Sequence, residues 1–229
     1  MKTLLFGCKG QLGKDVAIVF GPEGKVRGAD LPELDIADAQ AVEALTREFG
    51  PDLVINAAAY TNVEAAEDDI DNAYLGNETG ARNVARAAAA LKVPVVYYST
   101  DYVFGGSNTT PYNPDDPIAP IGIYGKSKLA GEVATREENP KHYIIRTAWL
   151  YGPGGNNFVE KIIAAAQARP ELKVVDDEVG SPTHTLDLAR ATQALAKSGA
   201  FGDYHGVNAG SCSRYEFALK ILELAGIDT

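Results

Sequence analysis

Thr3-Leu4-Leu5-Phe6-Gly7-Cys8-Lys9-Gly10-Gln11-Leu12-Gly13 is the stretch that decides the fold. Thr3 to Phe6 is a short apolar run that ends at Gly7, and Gln11 to Phe20 carries helical spacing. The stretch therefore reads as strand, glycine turn and helix start. Glycines permit a tight turn and a close backbone approach, and a helix N-terminus presents oriented N–H groups. Together they make a cradle for a pyrophosphate. The spacing, Gly7-x-x-Gly10-x-x-Gly13, is one residue wider than the commonest dinucleotide fingerprint. A plain glycine turn has the same local look; the strand before it and the helix after it favour the cradle.

Outward from this unit the same alternation repeats. Lys25 to Ala29 reads as the second strand and ends at Asp30, a helix spans Ala39 to Phe49, and Leu53 to Asn56 is the third strand. Asn72 to Leu91 is alanine-rich and helical with weak points at Gly76 and Gly80, Val93 to Ser99 is the fourth strand, and Tyr143 to Arg146 the fifth. Residues 105–122, dense in Pro, Gly and Asn, form a loop leading to a helix that runs to Glu138. Strands alternating with helices predict an α/β Rossmann-type fold, a doubly wound parallel sheet. Residues 1–150 form its dinucleotide-binding core, and 151–229 hold the remaining core elements interleaved with a small substrate lobe. In that second part Asn157 to Ala168 is an apolar-striped helix and Leu172 to Val175 a strand. Thr185 caps a helix from Leu186 to Lys197, and Ser213 with Glu216 has capping-box spacing ahead of a helix that Gly226 stops.

Ligands bind at the carboxyl ends of strands in such sheets. An acid at Asp30 accepts hydrogen bonds from an adenosine ribose and favours NADH, whereas Lys9 pairs with a 2′-phosphate and favours NADPH. Dual use stands open between them. Asp35 and Ile36 lie where an adenine edge rests, although Asp35 and Asp38 serve equally well as helix caps. Ala57, Ala58 and Ala59, ahead of Tyr60 and Thr61, let a flat cofactor lie against backbone, or else make a tight turn. Thr100, Asp101 and Tyr102 end the fourth strand. Tyr124 is the only one of the 11 tyrosines with a lysine four residues on, Lys128. On a helix the two stand on one face, roughly 6 Å apart at Cβ. An ammonium and a helix N-terminus both favour a phenolate, so the pair predicts a tyrosine of lowered pKa acting as proton donor.

At 45% hydrophobic and 23% charged, the chain has the composition of an ordinary globular protein. Its 21 basic and 31 acidic residues leave a net charge of −10, which argues against nucleic acid or an anionic membrane as partner. No apolar run approaches the roughly 18 residues of a membrane span. Two cysteines, Cys8 and Cys212, are too few for a disulfide framework and imply a reduced, cytoplasmic setting. Cys8 is either a thiol made acidic by the helix start or a buried spectator, with the second favoured. His142, His184 and His205 lack metal-ligand spacing, and the acidic run 64–71 reads as a solvated loop, so no metal site is expected from the residues themselves.

The chain resembles the extended short-chain dehydrogenase/reductase superfamily, and within it the dTDP-4-dehydrorhamnose reductase family. The likeness rests on Gly7 to Gly13, Asn56 to Thr61, Ser99 to Phe104 and the Tyr124/Lys128 pair. It continues through Arg146 to Gly152, Gly180 to Thr183 and Ser211 to Phe217. It implies reduction of a nucleotide-linked 4-keto-6-deoxysugar by NADH or NADPH, with Tyr124 the proton donor, Lys128 its partner and a ligand of the nicotinamide ribose, and Thr100 on the carbonyl. Gly7, Gly10, Gln11, Leu12 and Gly13 would line the pyrophosphate, while Asp30, Asp35 and Ile36 face the adenosine. Ala59, Tyr60, Thr61 and Tyr98 would border the nicotinamide, and Asp101, Tyr102 and Trp149 contact the sugar. Mg²⁺ enters by resemblance only, and a monomer or a homodimer is implied. Family members run on for several tens of residues past Gly226, which predicts an incomplete substrate lobe here and weak substrate binding. The rival readings are a related epimerase or dehydratase, and a non-catalytic nucleotide-binding subunit of the same fold.

Overall fold

Leu4, Leu5 and Phe6 are fully buried in the computed structural model, which describes residues 1–227. They belong to β1 (Lys2–Phe6), which lies between β2 (Lys25–Ala29) and β3 (Leu53–Asn56). Beyond β3 follow β4 (Val95–Thr100), β5 (His142–Thr147) and, as a sixth strand, β9 (Gly202–His205), all parallel, in the order β2-β1-β3-β4-β5-β9. The chain reverses its direction of winding between β1 and β3, and that switch point is where a crevice opens in such a sheet.

Alternating side chains on each strand feed two apolar layers. Leu5, Ile55, Val96 and Ile145 pack with Leu12, Val16 and Phe20 of α1 (Gln11–Phe20) and Leu188 of α7 (Thr185–Ser198). Leu4, Phe6 and Val54 pack on the other face against Val42 of α2 (Ala39–Phe49) and Val84 of α4 (Gly80–Ala90). Between them in sequence lies α3 (Ile70–Tyr74), and α5 (Ile123–Glu138) follows β4. The later elements are β6 (Leu150–Tyr151), α6 (Phe158–Ala168), β7 (Val179–Gly180), β8 (Thr183–His184), β10 (Cys212–Ser213) and α8 (Arg214–Ala225). The helices α6 and α8 make a satellite core of their own through Ile162, Ala218, Ile221 and Leu222, held to the main body by the ribbons β6–β8 and β7–β10.

Three expectations need correction. Leu172 to Val175 is not a strand: Val174 packs against the α6–α8 cluster, but no neighbouring strand offers a ladder. The helix expected over 72–91 is broken by a π turn, Leu75–Thr79, between α3 and α4. Gly80 there is required by packing, since a Cβ would lie 2.4 Å from Ile36 Cδ1. Thr185 begins α7 rather than capping it, and its hydroxyl donates to Asp15 Oδ2 on α1 at 2.5 Å. The strand β9 and the two short ribbons have no counterpart in the sequence pattern. The capping box at Ser213 and Glu216 is present, and Gly226 ends α8 in the left-handed region. No helix among the described residues is long and apolar enough to cross a membrane.

Candidate active site

At the carboxyl ends of the strands a cleft encloses about 1150 Å³. That exceeds the roughly 300–1,000 Å³ of a pocket for one drug-sized ligand, so there is room for a dinucleotide and a second molecule. The residues that the resemblance assigns to cofactor, sugar and proton transfer all lie along it, from Gly7, Gly10, Gln11, Leu12 and Gly13 to Thr100, Tyr124, Lys128 and Trp149.

The cofactor side is defined by what is missing from the side chains. Gly7 has φ +78°, and a Cβ on it would sit 2.4 Å from Ala58 N. A Cβ on Gly13 would sit 2.0 Å from the Gly7 carbonyl oxygen. Glycine loop and alanine turn thus press backbone against backbone. The N-cap of α1 is Gly10, with no side chain to satisfy the first-turn N–H groups, and no acidic residue stands in that turn. These free donors and the bare backbone fit a pyrophosphate. Asp30 Oδ2 accepts from Lys9 N at 2.7 Å and Oδ1 from Leu31 N at 2.8 Å, so its carboxylate is held at the rim. Lys9 Nζ, exposed at the rim, meets Glu33 Oε2 at 2.5 Å and the Leu31 carbonyl at 2.8 Å. Asp35 closes a local turn on Ala37 N at 2.9 Å, Asp38 caps α2, and Ile36 packs into the core while its edge lines the cleft. Thr61 is exposed on the cleft wall beside Ala59 and Tyr60. The Tyr60 hydroxyl donates to Asp69. Tyr98 turns its phenol into the core, donating to Thr192 Oγ1 at 2.9 Å, and also lines the cleft. Cys8 is a spectator: burial raises its thiol, and Asp30 adds to the effect.

The residues expected to carry the chemistry lie at the end of β4 and on α5. The strand β4 runs past Tyr97, which pairs with Asn56, so that Thr100 stands beyond the end of β3. Its Oγ1 donates to Asp101 Oδ1 at 3.0 Å and accepts from Tyr102 N at 3.2 Å. Asp101 is pushed up by burial, against the lowering effect of its bond to Thr100. The Tyr102 ring stands edge-on to Tyr124, 5.6 Å between centroids. In the absence of ligand the phenol of Tyr124 is pushed up to about 12 by burial, against a hydrogen bond with Thr100. That reverses the expected lowering. Lys128, the more deeply buried of the two, falls to about 7, and its ammonium donates to the Tyr98 carbonyl at 2.6 Å, over the Tyr97 ring. The helix field is offset as well, because Glu67 Oε1 accepts from Ile123 N at 2.7 Å and so places a carboxylate at the start of α5.

Among the described residues, no group of three or more His, Cys, Asp or Glu stands close enough to hold a metal ion. With this geometry in view, the family described as the RmlD substrate binding domain matches residues 1–229. The chain is 38% identical to a dTDP-4-dehydrorhamnose reductase of Escherichia coli, over 98% of this chain and 78% of that one. The chain belongs to the dTDP-4-dehydrorhamnose reductase family. It is also 43% identical to the spore coat polysaccharide biosynthesis protein SpsK of Bacillus subtilis, over 100% of this chain and 81% of that one. The crystal structure of the Bacillus anthracis dTDP-4-dehydrorhamnose reductase in complex with NADP superposes with a TM-score of 0.96 at 42% identity, covering 100% of this chain and 82% of that one.

For a member of this reductase family, two supporting residues escaped the sequence reading. Asn77, buried in the π turn, accepts from Tyr60 N at 2.9 Å and donates to Ser127 Oγ at 3.0 Å, and Ser127 in turn donates to the Tyr124 carbonyl. It ties the cofactor loop to the tyrosine helix, and a π turn is a common mark of a functional site. Glu67 came from a run read as solvated. Neither has a local signal, since their partners lie 50 and 56 residues away.

Proposed function

We propose that this chain reduces the C4 keto group of dTDP-4-dehydro-L-rhamnose to dTDP-L-rhamnose with NADH or NADPH. The observation that carries this reading is the convergence of Thr100, Tyr124 and Lys128 on the same cleft as the bare glycine and alanine backbone. Relatives named for that reaction supply the substrate. The nicotinamide, when bound, supplies the hydride.

The residues of the chain do the rest. Tyr124, its pKa raised to about 12, holds its proton through the neutral range and has it ready for the developing alkoxide. Lys128, one helical turn on from Tyr124, lowers the cost of the phenolate left behind when it carries its proton. Binding of an anionic ligand nearby favours its protonated form. Thr100 turns its hydroxyl from Asp101 to the sugar carbonyl and stabilises negative charge there. Trp149 and Tyr102, which also line the cleft, border the sugar.

Asp30 favours NADH, and Lys9, exposed at the same rim, is the counterweight for NADPH. The NADP complex of the Bacillus anthracis relative keeps dual use open. Steady-state oxidation of each reduced cofactor with dTDP-4-dehydro-L-rhamnose, with the product identified by NMR, tests the reading. Turnover with at least one is expected; no oxidation with either overturns it.

A further inference from the structure

Arg214 lines the cleft, yet nothing in the chemistry above uses it. It is the first residue of α8, and the preceding turn is firmly built. Ser213 Oγ accepts from Glu216 N, Ser213 N donates to Glu216 Oε2 at 2.8 Å, and Cys212 pairs with Gly180 in the β7–β10 ribbon. The guanidinium lies over the indole of Trp149, 3.5 Å from the ring centroid, and 5.2 Å from that of Phe158. Trp149 is itself clamped: it adopts φ +48°, and a Cβ on Gly180 would sit 2.5 Å from its ring. A planar cation is thus stacked on a fixed aromatic face, with its side chain 17% exposed.

Two polar side chains of the protein meet that cation, the Tyr102 phenol and Glu178. Glu178, 60% exposed at the rim, meets only Nε, at 3.3 Å. An arginine has five N–H donors in a rigid fork suited to phosphate and carboxylate oxygens. The side chain lines the cleft, and the guanidinium lowers both Tyr102 and Asp101, the neighbours of Thr100. In a chain of net charge −10, a pre-stacked guanidinium at the sugar end of the cleft is a built receptor for an anion. The cofactor pyrophosphate is cradled at the other end, by Gly7 to Gly13.

We propose that Arg214, stacked on Trp149, binds the diphosphate of the nucleotide-sugar substrate and so sets the chain's requirement for a diphosphate-linked sugar. This rests on the proposed function, since it assigns part of the substrate of the same site.

The test compares the 229-residue chain with Arg214→Gln and Arg214→Lys. Losing a charge-assisted, bidentate contact is expected to raise KM for the nucleotide sugar about 10- to 100-fold in Arg214→Gln, with kcat and the Kd of the reduced cofactor unchanged. Arg214→Lys keeps the charge without the fork and falls between. Calorimetric titration of the cofactor-loaded chain with thymidine diphosphate and with thymidine separates binding from packing. The variant should lose affinity for the diphosphate and keep its weak affinity for the nucleoside. A merely structural role would lower the Tm and weaken both ligands and the cofactor together, and would overturn the assignment. So would equal KM values in wild type and Arg214→Gln, leaving the proposed reaction intact. A wild-type chain that turns over neither cofactor with the nucleotide sugar overturns the reaction and this assignment with it.

Discussion

The two walls of the cleft are built on opposite principles. The wall formed by β1, β3 and the start of α1 works by absence: Gly7, Gly13 and Ala57 to Ala59 leave backbone bare, and any added atom collides with more backbone. The wall formed by Trp149 and Arg214 works by presence, the two stacked on each other and backed by Phe217 and Phe158 of the α6–α8 cluster. The first wall suits a ligand recognised by its phosphates and a flat ring, the same in every turnover. The second can be changed one side chain at a time without disturbing the sheet, because its apolar cluster is separate. Specificity for the second ligand can therefore drift while the cofactor wall stays put.

Tyr124, where the walls meet, is the sharpest test of that division. Tyr124→Phe removes one hydroxyl and leaves the ring against Tyr102. General acid catalysis is typically worth about 10²- to 10⁴-fold, and kcat is expected to fall by that much while both ligands bind as before. Near-native kcat at neutral pH would mean that the proton comes from elsewhere.

Gly13→Val attacks the cofactor wall alone. With its Cβ 2.0 Å from the Gly7 oxygen, either the glycine loop or α1 must shift. Overpacking strain of about 1–3 kcal/mol is the usual result, and a loss near the top of that range is about 100-fold in affinity. Fluorescence titration of NADH should show that loss. Thymidine diphosphate binding should change far less. Parallel losses of both ligands would show that the walls are one cooperative unit.

The difference between the walls also explains what could be read from the sequence. A steric absence is local: glycines between a strand and a helix announce themselves, as do the apolar strands on either side. The Tyr124/Lys128 pair was visible for the same reason, four residues apart on one helix. The electrostatics were not. Burial of Tyr124 and Lys128 by distant segments decides the direction of both shifts, and the carboxylate of Glu67 at the helix start arrives across 56 residues. Two-residue ribbons such as β7 and β10 carry no periodicity to detect, and Leu172 to Val175 has a strand's composition without a partner strand. Asn77 and Arg214 are ordinary polar residues until the fold sets one beneath the cofactor loop and the other on Trp149.

Asp30 allows a smaller test within the cofactor wall. Its carboxylate is held by Lys9 N and Leu31 N, so it cannot easily swing away from a 2′-phosphate. Asp30→Asn removes the charge and retains an acceptor. At the solvated rim one like-charge contact amounts to about 1 kcal/mol, so the Kd ratio of NADPH to NADH should fall about fivefold at low salt. An unchanged ratio would mean that Asp30 does not sense the ribose.

Lys128 gives a test on stability rather than activity, and it concerns how dry the cleft is before ligands enter. Burial holds its pKa at about 7 in the folded chain against 10.5 unfolded. Between those values the unfolded chain binds the extra proton, so this residue makes stability rise as pH rises from about 7 to 10. Below pH 7 its penalty is fully present and roughly constant. Lys128→Met removes the penalty but leaves the Tyr98 carbonyl without its donor, so the sign of the difference in Tm at one pH is not diagnostic. The slope is diagnostic. Tyr124 and Tyr98 are both shifted above this window, and the titrations of exposed groups are common to both proteins, so subtracting variant from wild type isolates Lys128. Wild type should gain several degrees relative to Lys128→Met between pH 7 and pH 10, at about 2–4 °C per kcal/mol for a domain of this size. A flat difference would show that water reaches the ammonium in the free protein. The two walls would then close over it only when the ligands bind.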